Sequence, residues 1–80
     1  MKPPRIKERR LGRERALGQC WQDKGLIEID PRLRPQAALD TLIHEALHHY
    51  APEWSEKRVT AVATGIAGLL WKQRFRRIEK

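Results

Sequence analysis

Eighty residues make one small domain, and a domain of that size buries only about 60% of its unfolded surface, which excludes a second domain and a large enclosed cavity. Hydrophobic residues at 40% and charged residues at 34% describe a chain that folds, and its longest uncharged run, residues 59–71, is shorter than the roughly 18 residues a membrane span needs. The net charge of +7 is concentrated at the ends, where residues 1–15 hold seven Lys/Arg against two Glu and residues 72–80 hold five against one, a layout that favours polyanionic partners.

Residues 1–15 combine Pro3 and Pro4 with dense arginine and read as a basic arm, flexible or at most an edge strand or short helix. Residues 17–22 and 26–30 then flank Asp23, Lys24 and Gly25, a connection whose glycine can take the positive φ of a bulged hairpin. The second arm alternates Leu26, Glu28 and Asp30 with Ile27 and Ile29, so one face is partly polar and the isoleucines pack inward. Pro31 and Pro35 bracket a linker. From Ala37 to Tyr50 the apolar residues Leu39, Leu42, Ile43, Ala46, Leu47 and Tyr50 form a helical stripe, closed by Pro52. Ser55 reads as the N-cap of a second helix, with Trp54 and Val59 as a hydrophobic staple. That helix carries a stripe of Val59, Val62, Ala63, Ile66, Leu69 and Leu70 into a basic tail, so the chain divides into an arm (1–15), a folded unit (16–71) and a tail (72–80).

The first helix contains His44-Glu45-Ala46-Leu47-His48, an H-E-x-x-H pattern. At 100° per residue the two imidazoles lie about 40° apart on one face, so both reach one Zn²⁺. Glu45, one step around, stands beside that metal as a general base for a zinc-bound water. The same arithmetic places the site away from the helix's own apolar stripe. A catalytic zinc needs a third protein ligand. Cys20 is early and strand-like, which leaves Glu53 and Glu56; Glu56 projects toward the apolar side of the second helix and is preferred, with Glu53 in reserve. His49, about 100° from His48, is a rim residue rather than a ligand. Asp40, one turn before His44, is more simply a solvated acid than a partner for its imidazole. Gly65 and Gly68 share a face where another backbone could approach, or are simply tolerated. Trp21, Trp54 and Trp71 are packing residues, with Trp71 beside Arg74 and Arg76 a secondary stacking candidate.

The segment from Gly25 through Ile29-Asp30-Pro31-Arg32-Leu33, the Leu39–His48 stretch, and Ser55-Glu56 followed by Val59 together resemble small phage and bacterial zinc peptidases of the gluzincin kind, related to SprT-like and minimal gluzincin proteins, over residues 17–71. The resemblance implies an α+β minimal zincin in which a small hairpin or sheet packs on two long helices. It further implies His44, His48 and Glu56 as ligands of one Zn²⁺ per chain, Glu45 as general base, and a protein or peptide substrate along an edge strand. Only eight positions separate His48 from Glu56, fewer than in larger gluzincins, and Tyr50 and His49 are the only candidates for stabilising an oxyanion. The backbone of residues 28–30 is expected to pair with substrate.

The competing expectation keeps zinc as a structural clamp in a module that binds nucleic acid non-specifically through Arg9, Arg10, Arg13 and Arg15 at one end and Arg74, Arg76 and Arg77 at the other. A membrane partner is not expected. The single cysteine, Cys20, with no signal-peptide pattern ahead of the fold, points to the cytoplasm.

Overall fold

The computed structural model describes residues 2–12 and 17–76. They form an α+β arrangement of three short strands, β1 (Arg5–Glu8), β2 (Gly18–Trp21) and β3 (Leu26–Ile29), with two helices, α1 (Pro35–Tyr50) and α2 (Glu56–Lys72). Among the described residues no helix is long and apolar enough to cross a membrane.

The strands order β1-β3-β2, with β2 antiparallel to β3 and β1 parallel to it. The hairpin expected from residues 17–30 is β2–β3. Its connection is a 3-10 turn over Gln22–Lys24 closed by Gly25 at φ 57°, a left-handed conformation that a side chain would disfavour. Of the alternatives for the basic arm, the edge strand holds for Arg5–Glu8. Its register sets Ile6 beside Ile27 and Glu8 beside Ile29, and the chain beyond it delivers Leu11 into the core with no exposed surface. Arg13, Arg15 and Arg77 lie outside the described residues.

β3 is the central strand, paired along both edges. Ile27 and Ile29 point inward as expected and are buried. Glu28 and Asp30, on the other side, are buried too. Glu28 accepts hydrogen bonds from Arg9 Nε at 2.6 Å and from Trp21 Nε1 at 2.7 Å. Asp30 accepts from the Leu11 and Arg32 amides and from the Arg32 guanidinium, at 2.7–3.1 Å. These contacts replace the water each carboxylate gives up, as burial of a charge requires.

Helix α1 starts two residues before the expected Ala37, because Pro35 sits in the first turn, where its missing amide proton costs nothing. It lies between the sheet and α2, so its coverage is wider than one stripe: Ala38 and Glu45 are buried, and Tyr50 is exposed. In α2, Ser55 caps the N-terminus by accepting from the Arg58 amide at 3.1 Å. The packed face of α2 carries Val59, Ala63 and Ala67, which turns Ile66 and Leu69 of the expected stripe toward solvent. The helix reaches Lys72, the first residue of the basic tail, and stops there. The Arg74 amide bonds to the Trp71 carbonyl and the Phe75 amide to the Leu70 carbonyl, both at 3.0 Å, with Arg74 at φ 64°: a Schellman motif built on arginine.

Candidate metal centre

Residues 44 and 48 fall one turn apart on α1, and the tight connection through Pro52 brings the first residue of α2 back against them. His44 Nε2 lies 2.7 Å from Glu56 Oε1, His48 Nε2 lies 2.8 Å from Glu56 Oε2, and the two Nε2 atoms are 3.2 Å apart. Among the described residues this is the only group of three such side chains whose ligand atoms converge, all within 4.8 Å. Bonds of about 2.0–2.1 Å from a tetrahedral zinc place neighbouring donors roughly 3.3 Å apart, so the two imidazole nitrogens at 3.2 Å, each with a Glu56 oxygen at 2.7–2.8 Å, are close to the spacing that would hold the ion. Two imidazoles and a carboxylate also suit zinc in donor chemistry. The histidine side chains are largely shielded and Glu56 is 68% exposed, so the group opens to solvent on the α2 side.

Glu45 is buried at 9% exposure, and among the described residues no hydrogen bond or ion pair holds its carboxylate, whose oxygens are not cut off from solvent. It borders a groove of about 470 Å³ lined by Leu17, Gly18, Ala37, Asp40, Thr41, His44, Thr60 and Thr64. Burial pushes its pKa up, the neighbouring imidazoles pull it down less strongly, and Glu56 adds to the rise. The site therefore does not face away from the core. It lies in the seam between α1, α2 and the start of β2, because α1 is packed on two sides.

That seam depends on Gly18. A Cβ there would stand 2.6 Å from Thr41 Cγ2 and 3.1 Å from Glu45 Cγ, so only glycine lets β2 approach α1 this closely. Gly18 and the groove-lining Thr60 and Thr64 escaped the sequence reading, although a glycine opening a strand is itself a signal of close backbone approach. Gln22 Nε2 donates to the His48 carbonyl at 2.6 Å and ties the hairpin turn to the end of α1.

Other expected residues fall elsewhere. Glu53 is exposed and outside the converging group. Cys20 faces α1 from β2, with its thiol pushed up by burial and by the charge of Glu45, and contributes no ligand atom. Asp40 accepts from Thr64 Oγ1 across the groove at 3.4 Å rather than from His44. His49 stands outside the group, its ring edge-on to Tyr50. The Arg76 guanidinium lies 3.7 Å over the Trp71 ring and occupies a face a base would need. Among the described residues nothing lies within 4 Å of a Cβ built on Gly65 or Gly68, so no described backbone packs against them. Residues 28–30 cannot pair with substrate, since Arg9 donates to the Ile29 carbonyl on one side and Asp30 donates to the Leu17 carbonyl on the other. Among the described residues, the outer edge of β2, beside the groove, pairs with no strand.

No family model matches this chain, and no curated protein or solved structure does either.

Proposed function

We propose that this chain is a minimal zinc-dependent peptide hydrolase of gluzincin type, in which His44, His48 and Glu56 hold one Zn²⁺ and Glu45 is the general base. The observation that carries this reading is the contrast at Glu45. A carboxylate on a largely buried residue, engaged by no hydrogen bond or ion pair among the described residues, next to His44 and three residues from His48, and bordering a groove of about 470 Å³, suits a general base.

Zinc bound there supplies a Lewis acid for the scissile carbonyl and lowers the pKa of attacking water toward about 7. The protein's own residues do the rest. Glu45, raised in basicity by its surroundings, takes the proton of the attacking water and returns it to the departing amine. The free edge of β2 offers backbone groups to an extended peptide, and the groove between Leu17 and Thr64 receives a side chain from it. A cytoplasmic setting agrees with the free Cys20.

The alternative, a structural zinc clamp in a nucleic-acid-binding module, draws on the way the three ligands join α1 to α2. Metal analysis with variants separates the two. His44→Ala and His48→Ala should lose zinc and thermal stability together, and Glu56→Gln should weaken zinc more than Glu53→Gln. Glu45→Gln should keep one zinc per chain and reduce peptide hydrolysis at least about 100-fold. A Glu45→Gln protein as active as the parent would remove the hydrolase reading, and full zinc in both histidine variants would remove the site.

A further inference from the structure

A second cavity, of about 430 Å³, lies at the hairpin end of the molecule and is lined by Lys2, Pro3, Arg5, Lys24, Gly25 and His49. We propose that it binds a phosphate-class oxyanion, a free phosphate or phosphomonoester. This inference stands apart from the zinc reading and needs none of its ligands.

Three of the six lining residues carry positive charge and none is acidic. The nearest acid along the chain, Asp23, precedes Lys24 in the turn but does not line the cavity. Among the described residues no ion pair engages Lys2, Arg5 or Lys24; Lys24 rests over the Trp21 ring, 5.1 Å from its centroid. Elsewhere this fold pairs its well-placed cations, Arg9 with Glu28 and Arg32 with Asp30. Three cations around one concavity make it electropositive, and concave walls focus their field.

The frame holding them is fixed. The Arg5 amide donates to the Gly25 carbonyl at 2.8 Å and the Gly25 amide to Gln22 at 3.3 Å, so the main chain here is satisfied and the side chains are what remain for a ligand. Nothing lies within 4 Å of a Cβ built on Gly25, which leaves that wall open. His49 Nδ1 is buried without a hydrogen-bond partner, leaving Nε2 as the nitrogen able to reach a ligand. An arginine fork, two ammonium groups and an imidazole match a dianion with three or four acceptor oxygens better than a single carboxylate. The volume falls in the range of small-molecule sites. The other cationic cluster, at Arg74 and Arg76, is about 20 Å away along α1, since Arg76 borders a cavity with Pro35 at the start of that helix and His49 is near its end.

The test is a titration of the zinc-supplemented full chain with inorganic phosphate at low salt, followed by ¹H–¹⁵N correlation spectra. Saturable shifts should centre on Arg5, Lys24, Gly25 and His49. Arg5→Gln and Lys24→Gln, both exposed positions, should each weaken binding about tenfold, and Lys72→Gln on α2 should not. A phosphomonoester should compete for the same site. Shifts spread over all cationic residues, shifts centred on His44 and Glu56, or equal loss in Lys72→Gln would overturn the proposal. So would binding by an oligonucleotide with no response to inorganic phosphate, which would make this a surface that tracks a nucleic-acid backbone.

Discussion

Glu28, Asp30 and Glu45 are all buried acids, but their surroundings divide them by role. The Arg9 and Trp21 donors hold Glu28 below the usual carboxylate range. The Arg32 guanidinium, with the Arg32 and Leu11 amides, holds Asp30 well below it. Both are ionised because their partners favour the charge, and both fasten segments distant in sequence. Glu45 moves the opposite way for want of such partners. The depressed Asp30 pKa has a consequence for stability against pH. A carboxyl that binds its proton less readily folded than unfolded contributes stability above its unfolded pKa of about 3.9, and that contribution is lost as pH falls below it. Asp30→Asn should therefore lower the urea midpoint at pH 7, and the gap to the parent should narrow as pH drops below about 4. A gap independent of pH from 7 to 3 would show that the charge of Asp30 contributes nothing.

At the level of elements, the site is set by how closely β2 meets α1. Gly18→Ala would drive a methyl against Thr41 Cγ2 at 2.6 Å, and the relief must displace either the strand or the helix turn that carries Glu45. A cost of about 1–3 kcal/mol is expected, and, on the proposed hydrolase reading, reduced hydrolysis at unchanged zinc content. Thr41→Ser, which removes the obstructing methyl, should recover much of the loss in a double-mutant cycle; additive effects would sink the contact as the cause. The hairpin, the histidine helix, the Ser55 cap and the Glu56 position were legible in the sequence because each rests on local chemistry: a glycine turn, a 3.6-residue period, a capping hydroxyl, a proline corner. What was not legible depends on partners far along the chain. The parallel pairing of β1 with β3 leaves no local pattern, and α2 buries Ala67 rather than Ile66 or Leu69 because small residues let it lie against α1. The end of α2 also broke its rule, with Arg74 in the left-handed position that glycine usually fills. Arg74→Gly should raise stability by about 0.5–1 kcal/mol in chemical denaturation, and a loss would mean the arginine side chain contributes more than its backbone strain costs.

Across the whole molecule, the basic N-terminal segment is part of the fold rather than an appendage. Besides the parallel pairing of β1 with β3, the Arg9 amide bonds to the Ile29 carbonyl at 3.0 Å, the Arg9 guanidinium to Glu28, and the Leu11 amide to Asp30 at 3.1 Å. Leu11 itself is, among the described residues, one of four large side chains buried almost completely, alongside Ile27, Ile29 and Val59. A core this small has little redundancy, and removing a buried leucine side chain costs about 2–5 kcal/mol against a typical total of about 5–15. Leu11→Ala should thus bring the metal-free protein close to unfolding. If zinc binds only the folded chain, its free energy adds to that of folding, so saturating zinc should raise the thermal midpoint of Leu11→Ala even though Leu11 is not a ligand. Melting curves of parent and variant, each with zinc and with chelator, read both effects. An unchanged midpoint in Leu11→Ala would return residues 2–12 to the status of a separate arm, and a lowered midpoint that zinc does not raise would mean that the ion does not bind the folded state selectively.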